Sequence, residues 1–245
     1  MAEAERIAGG FRLRGAQVTR LETFVDAAFA FSLTLLVIVF DDLPASIAEL
    51  RDALRQVPAF LFCFAILAMF WTAHARWSRR FGMEDAGSTL LSLALVLVVM
   101  IYVYPLRMVA SAAMAFFSGG WAPYTFAIDP AQPLLDLQTM FIVYALGFGL
   151  LAGILWALNA HALRQADALG LDANERFETG NEMAVHAVLA AIALASALVS
   201  LLLLTWFPHD ALPGGYAALP AWLYVLIGPA IYGCLRWRGR RRAAA

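Results

Sequence analysis

The chain has 245 residues and contains no lysine, so all 17 of its basic side chains are arginine. Its other shortages narrow the function classes. Charged residues make up 14% of the sequence, against 62% hydrophobic residues and a mean hydropathy of +0.74. A soluble domain usually carries about 25% charge, so the composition points to a polytopic membrane protein. The two cysteines, Cys63 and Cys234, lie in apolar runs without metal-ligand spacing, which argues against a disulfide framework or a zinc cluster. No H-E-x-x-H, G-x-S-x-G or phosphate loop occurs, and no enzymatic activity is expected.

Six apolar runs can be read directly: 22–40, 56–75, 88–117, 134–160, 183–207 and 217–235. Their lengths suit membrane helices rather than barrel strands, which would be about half as long and would alternate polar with apolar. The turn signals Asp41-Asp42-Leu43-Pro44, Gly119-Gly120 and Pro213-Gly214-Gly215 separate some of them. The expectation is an all-α, six-span subunit forming a single membrane domain over 1–245. Fourteen of the 17 arginines fall on one side of these spans: Arg6, Arg12, Arg14, Arg20, Arg76, Arg79, Arg80, Arg164, Arg176, Arg236, Arg238, Arg240, Arg241 and Arg242. The positive-inside rule then puts both termini in the cytoplasm. Residues 1–19 are polar, and the first span is expected to be retained rather than cleaved. The all-arginine basic set suggests a bacterial source, hence a multi-pass protein of the bacterial inner membrane. The terminal arginine cluster next to a span reads as a topology anchor that favours anionic lipid; no nucleic-acid partner is expected.

In the first run, Phe24, Ala28, Phe31, Leu35, Ile38 and Asp42 recur at alternating spacings of four and three, which places them on one helical stripe. Asp26 lies well round the helix from that stripe. The stripe is expected to face a symmetry-related neighbour or a pore, the alternative being ordinary helix packing. Asp26 is expected to face the second and third spans of its own subunit. A carboxylate at the start of a span needs a partner. Trp71, His74 and Arg76 close the second run in a W-x-x-H-x-R pattern on the same side as Arg20 and Asp26. His74 or the Trp71 indole is expected to donate to Asp26, the alternative being an interfacial tryptophan with snorkelling arginines.

At the far end of the stripe, Asp42 with Asp41 beside it would form a carboxylate ring in an oligomer and concentrate cations there; otherwise both are solvated loop acids. Ser46-Ile47-Ala48-Glu49 reads as a capping box opening a short helix along the outer interface, with Ile47, Leu50 and Leu54 on one face. Pro105, flanked by Tyr102 and Tyr104, is expected to kink the third span near the far interface. Arg107 would then snorkel outward or pair with an acid of a neighbour.

These segments together resemble the family of the lysosomal potassium channel (transmembrane protein 175) and its bacterial homologues. The family's first-span signature, R-x-x-x-F-S-D followed by a T-L-L-like run, is met by Arg20, Phe24 and Asp26 with Thr34-Leu35-Leu36 behind them. Its W-x-x-H-x-R ending is met by Trp71, His74 and Arg76. Its L-x-L-N-L pattern with a later proline is met by Leu91, Leu93, Leu95 and Pro105. The similarity is clearest over residues 20 to 110.

The resemblance implies a homotetramer of six-helix subunits in which the first helix lines a central ion path. It implies an apolar constriction at Phe31, Leu35 and Ile38 in place of a carbonyl filter, with Ala28 and Thr34 lining or supporting the pore. Arg20, Phe24, Asp26, Trp71, His74 and Arg76 would form a structural network. Potassium would be the permeant ion, without a cofactor or metal centre. Three positions depart from the pattern: Val25 replaces the signature serine, Ala94 replaces the asparagine, and Phe31 stands where isoleucine or leucine is usual. Phenylalanines around an axis would either plug the path or turn ring faces to a partly dehydrated cation, an interaction of about 0.5–2 kcal/mol. The expected function is thus a potassium-permeable channel. The alternative is a non-conducting or differently gated scaffold or sensor of the same fold. A secondary transporter is disfavoured because Asp26, Asp136 and Glu182 sit at span ends.

Overall fold

Apolar chain in a bilayer must satisfy its backbone internally. The computed structural model describes residues 10–38 and 45–243 and contains no β-strand among them. Asp41 and Asp42 lie outside the described residues, as does the side chain of Ile38. The helices are α1 (Arg20–Ile38), α2 (Ile47–Leu54), α3 (Val57–Phe81), α4 (Ala86–Phe117), α5 (Pro133–Arg164), α6 (Ala173–Trp206), α7 (Leu219–Trp222) and α8 (Ile227–Ala243). Four of these, α3 to α6, and the composite segment Gly215–Ala243 are long and apolar enough to cross a membrane. The 19 residues of α1 extend about 28 Å at 1.5 Å per residue, close to the thickness of a hydrocarbon core.

Helix ends follow capping chemistry rather than the limits of the apolar runs. α3 continues past residue 75 to Phe81 and stops at Gly82, whose φ of 58° closes a left-handed cap with its N–H on the Ser78 carbonyl. α6 begins at Ala173, well before the apolar run, because Asp172 and Glu175 form a reciprocal capping box. α1 is opened by Thr19, whose hydroxyl accepts from the Glu22 N–H at 3.1 Å. In α2, Ser46 accepts from the Glu49 N–H, while the Glu49 carboxylate reaches one residue beyond the expected box to the Ala45 N–H at 2.7 Å. No residue of α2 is buried, and Ile47, Leu50 and Leu54 are exposed together. α4 runs through Pro105 as one continuous helix.

α5 is the centre of the bundle, packed between α4 and α6. Phe148, Leu151, Leu155 and Leu158 are fully enclosed along it. Gly147 lets the Tyr102 ring of α4 lie directly on its backbone, since a Cβ there would stand 2.4 Å from Tyr102 Cδ2. The last span is irregular, with 3₁₀ turns at Gly214–Ala218 and Leu223–Leu226 around α7. Two of its carbonyls are satisfied by side chains of the bundle: Gln138 Nε2 donates to the Ala217 carbonyl at 2.9 Å, and the Ser196 hydroxyl donates to that of Pro220 at 3.0 Å. Irregular backbone at this depth requires such partners. α1 lies at the side of the bundle, packed on α3 and α4.

Candidate functional site

One side of α1 is buried and the other has no partner among the described residues. Val25, Ala28, Phe29, Ser32 and Leu36 are buried against the bundle. Arg20, Thr23, Phe24, Ala27, Ala30, Phe31 and Thr34 are exposed, with Phe24 at 53% and Phe31 at 50%. Leu35 is half-buried at the flank and packs against the core. The free face is therefore turned by about one position from the stripe expected from spacing. Ala28 belongs to the packed side, not to the exposed face. The register is set by what α3 and α4 cover, which a four-and-three spacing alone does not specify.

Asp26 sits at the edge of this face and accepts a hydrogen bond of 2.7 Å from the Trp71 indole N–H on α3. The other expected members of its network turn elsewhere. His74 is 2% exposed and its Nε2 meets the Ser92 hydroxyl of α4 at 3.0 Å, not Asp26. Arg76 donates to Glu182 of α6 at 2.9 Å, as does Arg80. Arg20 is exposed and forms no ion pair with Asp26, and Phe24 projects outward. Trp71 and His74 stand three positions apart on α3, about 60° round the helix, and the indole reaches α1 at the surface while the imidazole points into the α3–α4 contact. Val25, in place of the signature serine, is fully buried. Ser92, two residues before Ala94, gives His74 a hydroxyl partner.

Other polar residues at this arginine-rich end carry no motif. Trp77 is buried, and its indole N–H donates to the Leu158 carbonyl at 3.0 Å, tying α3 to α5. At the opposite end of the bundle Arg107, expected to snorkel outward, is half-buried, and its Nη2 approaches Gln56 Oε1 at 3.4 Å. Asp85 caps α4 by accepting from the N–H groups of Gly87 and Ser88, and it meets His161 Nε2 of α5 at 2.9 Å. Desolvation acts to raise the Asp85 pKa. The Ser88 N–H, His161 and Gln165 outweigh it and hold the carboxyl below its ordinary value.

Taken together, the geometry is a helical bundle in which α1, like stretches of α4, α5 and α6, presents apolar side chains that the subunit leaves uncovered, and a polar layer at one end joins the helices beside α1. A family profile described as "Endosomal/lysosomal potassium channel TMEM175" matches residues 20–105, the span that holds α1, Trp71, His74 and Ser92. A protein named "Potassium channel" from Marivirga tractuosa is 27% identical over 194 residues, covering 78% of each chain. The fold matches the crystal structure of a variant of the potassium channel MtTMEM175 in complex with a nanobody fusion protein, with a TM-score of 0.79 and 24% identity over 96% of this chain and 100% of that one. Over residues 20–105 the chain is similar to the TMEM175 family, and over nearly its whole length it shares the fold of the MtTMEM175 channel.

Proposed function

We propose that the chain is one subunit of a potassium-permeable cation channel, a homotetramer in which the free face of α1 lines the ion path. The unpartnered face of α1, lying within the segment that matches the family, carries this reading. A face of α1 that the subunit leaves uncovered, with two half-exposed phenylalanines, is free to line a path shared with copies of itself around an axis. On this reading α1 is the first of six spans in a single domain over 1–245. Both termini are cytoplasmic, and the protein sits in a bacterial inner membrane. The constriction is formed by Phe31 and by Ile38, one heptad later, with Leu35 at the flank. Thr34 contributes to the lining, and Ala28 supports the helix from behind. Asp41 and Asp42 give the outer mouth its negative ring. Potassium is the permeant ion, and no cofactor takes part.

The test is flux from liposomes holding the purified protein. A K+ flux exceeding the Na+ flux is expected; flux equal to that of empty liposomes with the oligomer intact would overturn the reading. A second reading, a closed or non-conducting member, draws on Phe31 itself, since a bulky ring stands on the free face where a smaller aliphatic side chain is usual. Phe31→Ile recorded beside the wild type separates the two. Conduction only in the variant means that the native rings close the path.

A further inference from the structure

The segment just before α1 is docked on the bundle by a site that no motif announces. Glu175, in the first turn of α6, has no exposed surface. Arg14 Nη1 reaches its Oε1 at 3.0 Å and Nη2 its Oε2 at 2.8 Å, a two-pronged grip. The Arg12 N–H donates to Oε1 at 2.8 Å and the Asp172 N–H to Oε2 at 3.0 Å. Arg14 Nε also donates to the Leu169 carbonyl at 3.0 Å. Beside this clamp, Phe11 is fully buried, edge-on to Phe81 with centroids 6.0 Å apart and with the Arg80 guanidinium 4.3 Å from its ring centre. Two glycines allow the close approach of backbones. A Cβ on Gly15 would stand 2.5 Å from the Ser78 carbonyl oxygen, and one on Gly82 would stand 3.0 Å from the Arg14 carbonyl. The Gly15 N–H donates to the Arg79 carbonyl at 3.1 Å.

From this anchor to the Thr19 cap of α1 is four residues, at most ~14 Å when fully extended. We propose that Glu175 is a positioning residue for α1: by clamping Arg12 and Arg14 it holds 10–15 as a strap across α3 and α6, and the strap fixes the arginine-rich end of α1. The consequence for conduction rests on α1 being the pore helix; the positioning itself does not. A strap that holds the helix end without lining the path sets how often the path opens. It leaves unchanged what passes once the path is open.

Two full-length variants test this. Glu175→Gln removes the charge that the arginines grip. Gly15→Ala leaves Glu175 untouched and pushes the strap off the Ser78 carbonyl. Amide exchange is measured in lipid nanodiscs, and single channels are recorded in planar bilayers. In both variants the amides of 19–24 are expected to exchange at least about tenfold faster while those of α5 keep their protection. Open probability is expected to move about tenfold, in the same direction for both, with unitary conductance and the K+/Na+ permeability ratio unchanged. Unaltered exchange at 19–24 in Gly15→Ala overturns the proposal, and so does exchange that accelerates equally in α5, which would mean a general loss of stability. Faster exchange at 19–24 with unaltered open probability overturns the gating consequence alone. If Glu175→Gln does not assemble, Gly15→Ala carries the test. If the wild type conducts nothing, the channel reading fails, and the exchange measurement still decides whether the strap positions α1.

Discussion

α1 and α5 are built from similar apolar residues, and the bundle uses them in opposite ways. α5 buries Phe148, Leu151, Leu155 and Leu158 completely, and its Gly147 admits the Tyr102 ring of α4. α1 buries Val25, Phe29 and Leu36 on one side and leaves Phe24 and Phe31 half-exposed on the other. Lipid tails are as apolar as leucine, so exposure to a bilayer is no penalty in itself and helix contacts are decided by packing. α5 also leaves Val143, Leu146 and Leu150 exposed, so the contrast is between the enclosed side of a central helix and the uncovered side of a peripheral one. It follows that substitutions of equal chemistry should act on stability in one helix and on function in the other.

The sharpest form of that contrast is one pair of variants. Phe148 packs against Phe70, Tyr144 and Tyr224 with centroids 5.2, 6.1 and 5.5 Å away. Phe148→Ala should cost about 3–5 kcal/mol through the cavity it leaves, seen as a large fall in Tm of the detergent-solubilised protein. Phe31→Ala should change stability by no more than about 0.5 kcal/mol, because few protein contacts are lost. A Phe31 effect approaching that of Phe148 would mean that its face of α1 is packed, and the contrast would collapse.

How much of this was legible in the sequence depends on which physical constraint each residue obeys. Asp26 and Trp71 could be paired beforehand because each is a polar group in an apolar run, at the same end, and a buried polar group needs a partner. His74 could be marked as unusual, but its partner Ser92 could not, since a serine inside an apolar helix often bonds its own backbone, as Ser32 does with the Ala28 carbonyl at 2.9 Å. The spacing puts Ala28 on the same stripe as Phe24 and Phe31, whereas the bundle buries it. α1 is apolar on nearly all sides, so periodicity alone leaves the rotation about its axis open. Glu175 lies outside every apolar run and belongs to none of the motifs read there. Only the fold brings Arg12 and Arg14 to it across more than 160 residues. The polar lengths of α3 and α6 escaped notice because hydropathy marks the bilayer, and the caps at Gly82 and Asp172 mark the helix.

A smaller effect is expected where the two helix types meet. Trp71→Phe keeps an aromatic ring and removes the N–H that Asp26 accepts from. The loss should be about 1 kcal/mol, at the modest end for a bond to a carboxylate because Trp71 is 40% exposed. Asp26→Ala combined with Trp71→Phe should then cost less than the sum of the two single changes, as measured by a double-mutant cycle on Tm. Full additivity would show that the two side chains do not act as a pair and that α1 is held to α3 by packing only.

An effect of similar size lies in the scaffold, at the start of α4, and it has a pH signature. Asp85 caps α4 with its carboxylate, and Asp85→Ala should cost about 1 kcal/mol at neutral pH. Its folded pKa is lowered from the ordinary 3.8, so the charged cap stabilises the fold above that ordinary value and is lost as pH falls through the lower, folded one. The wild type should therefore keep its advantage over Asp85→Ala from neutrality down to about pH 4 and lose it progressively below. Stability curves for the two proteins in the same detergent would show this as convergence on the acid side. Curves that converge well above pH 4, or stay parallel throughout the acid range, would mean that the carboxylate charge is not what caps α4, and that the contact with His161 holds the α4–α5 end by shape alone.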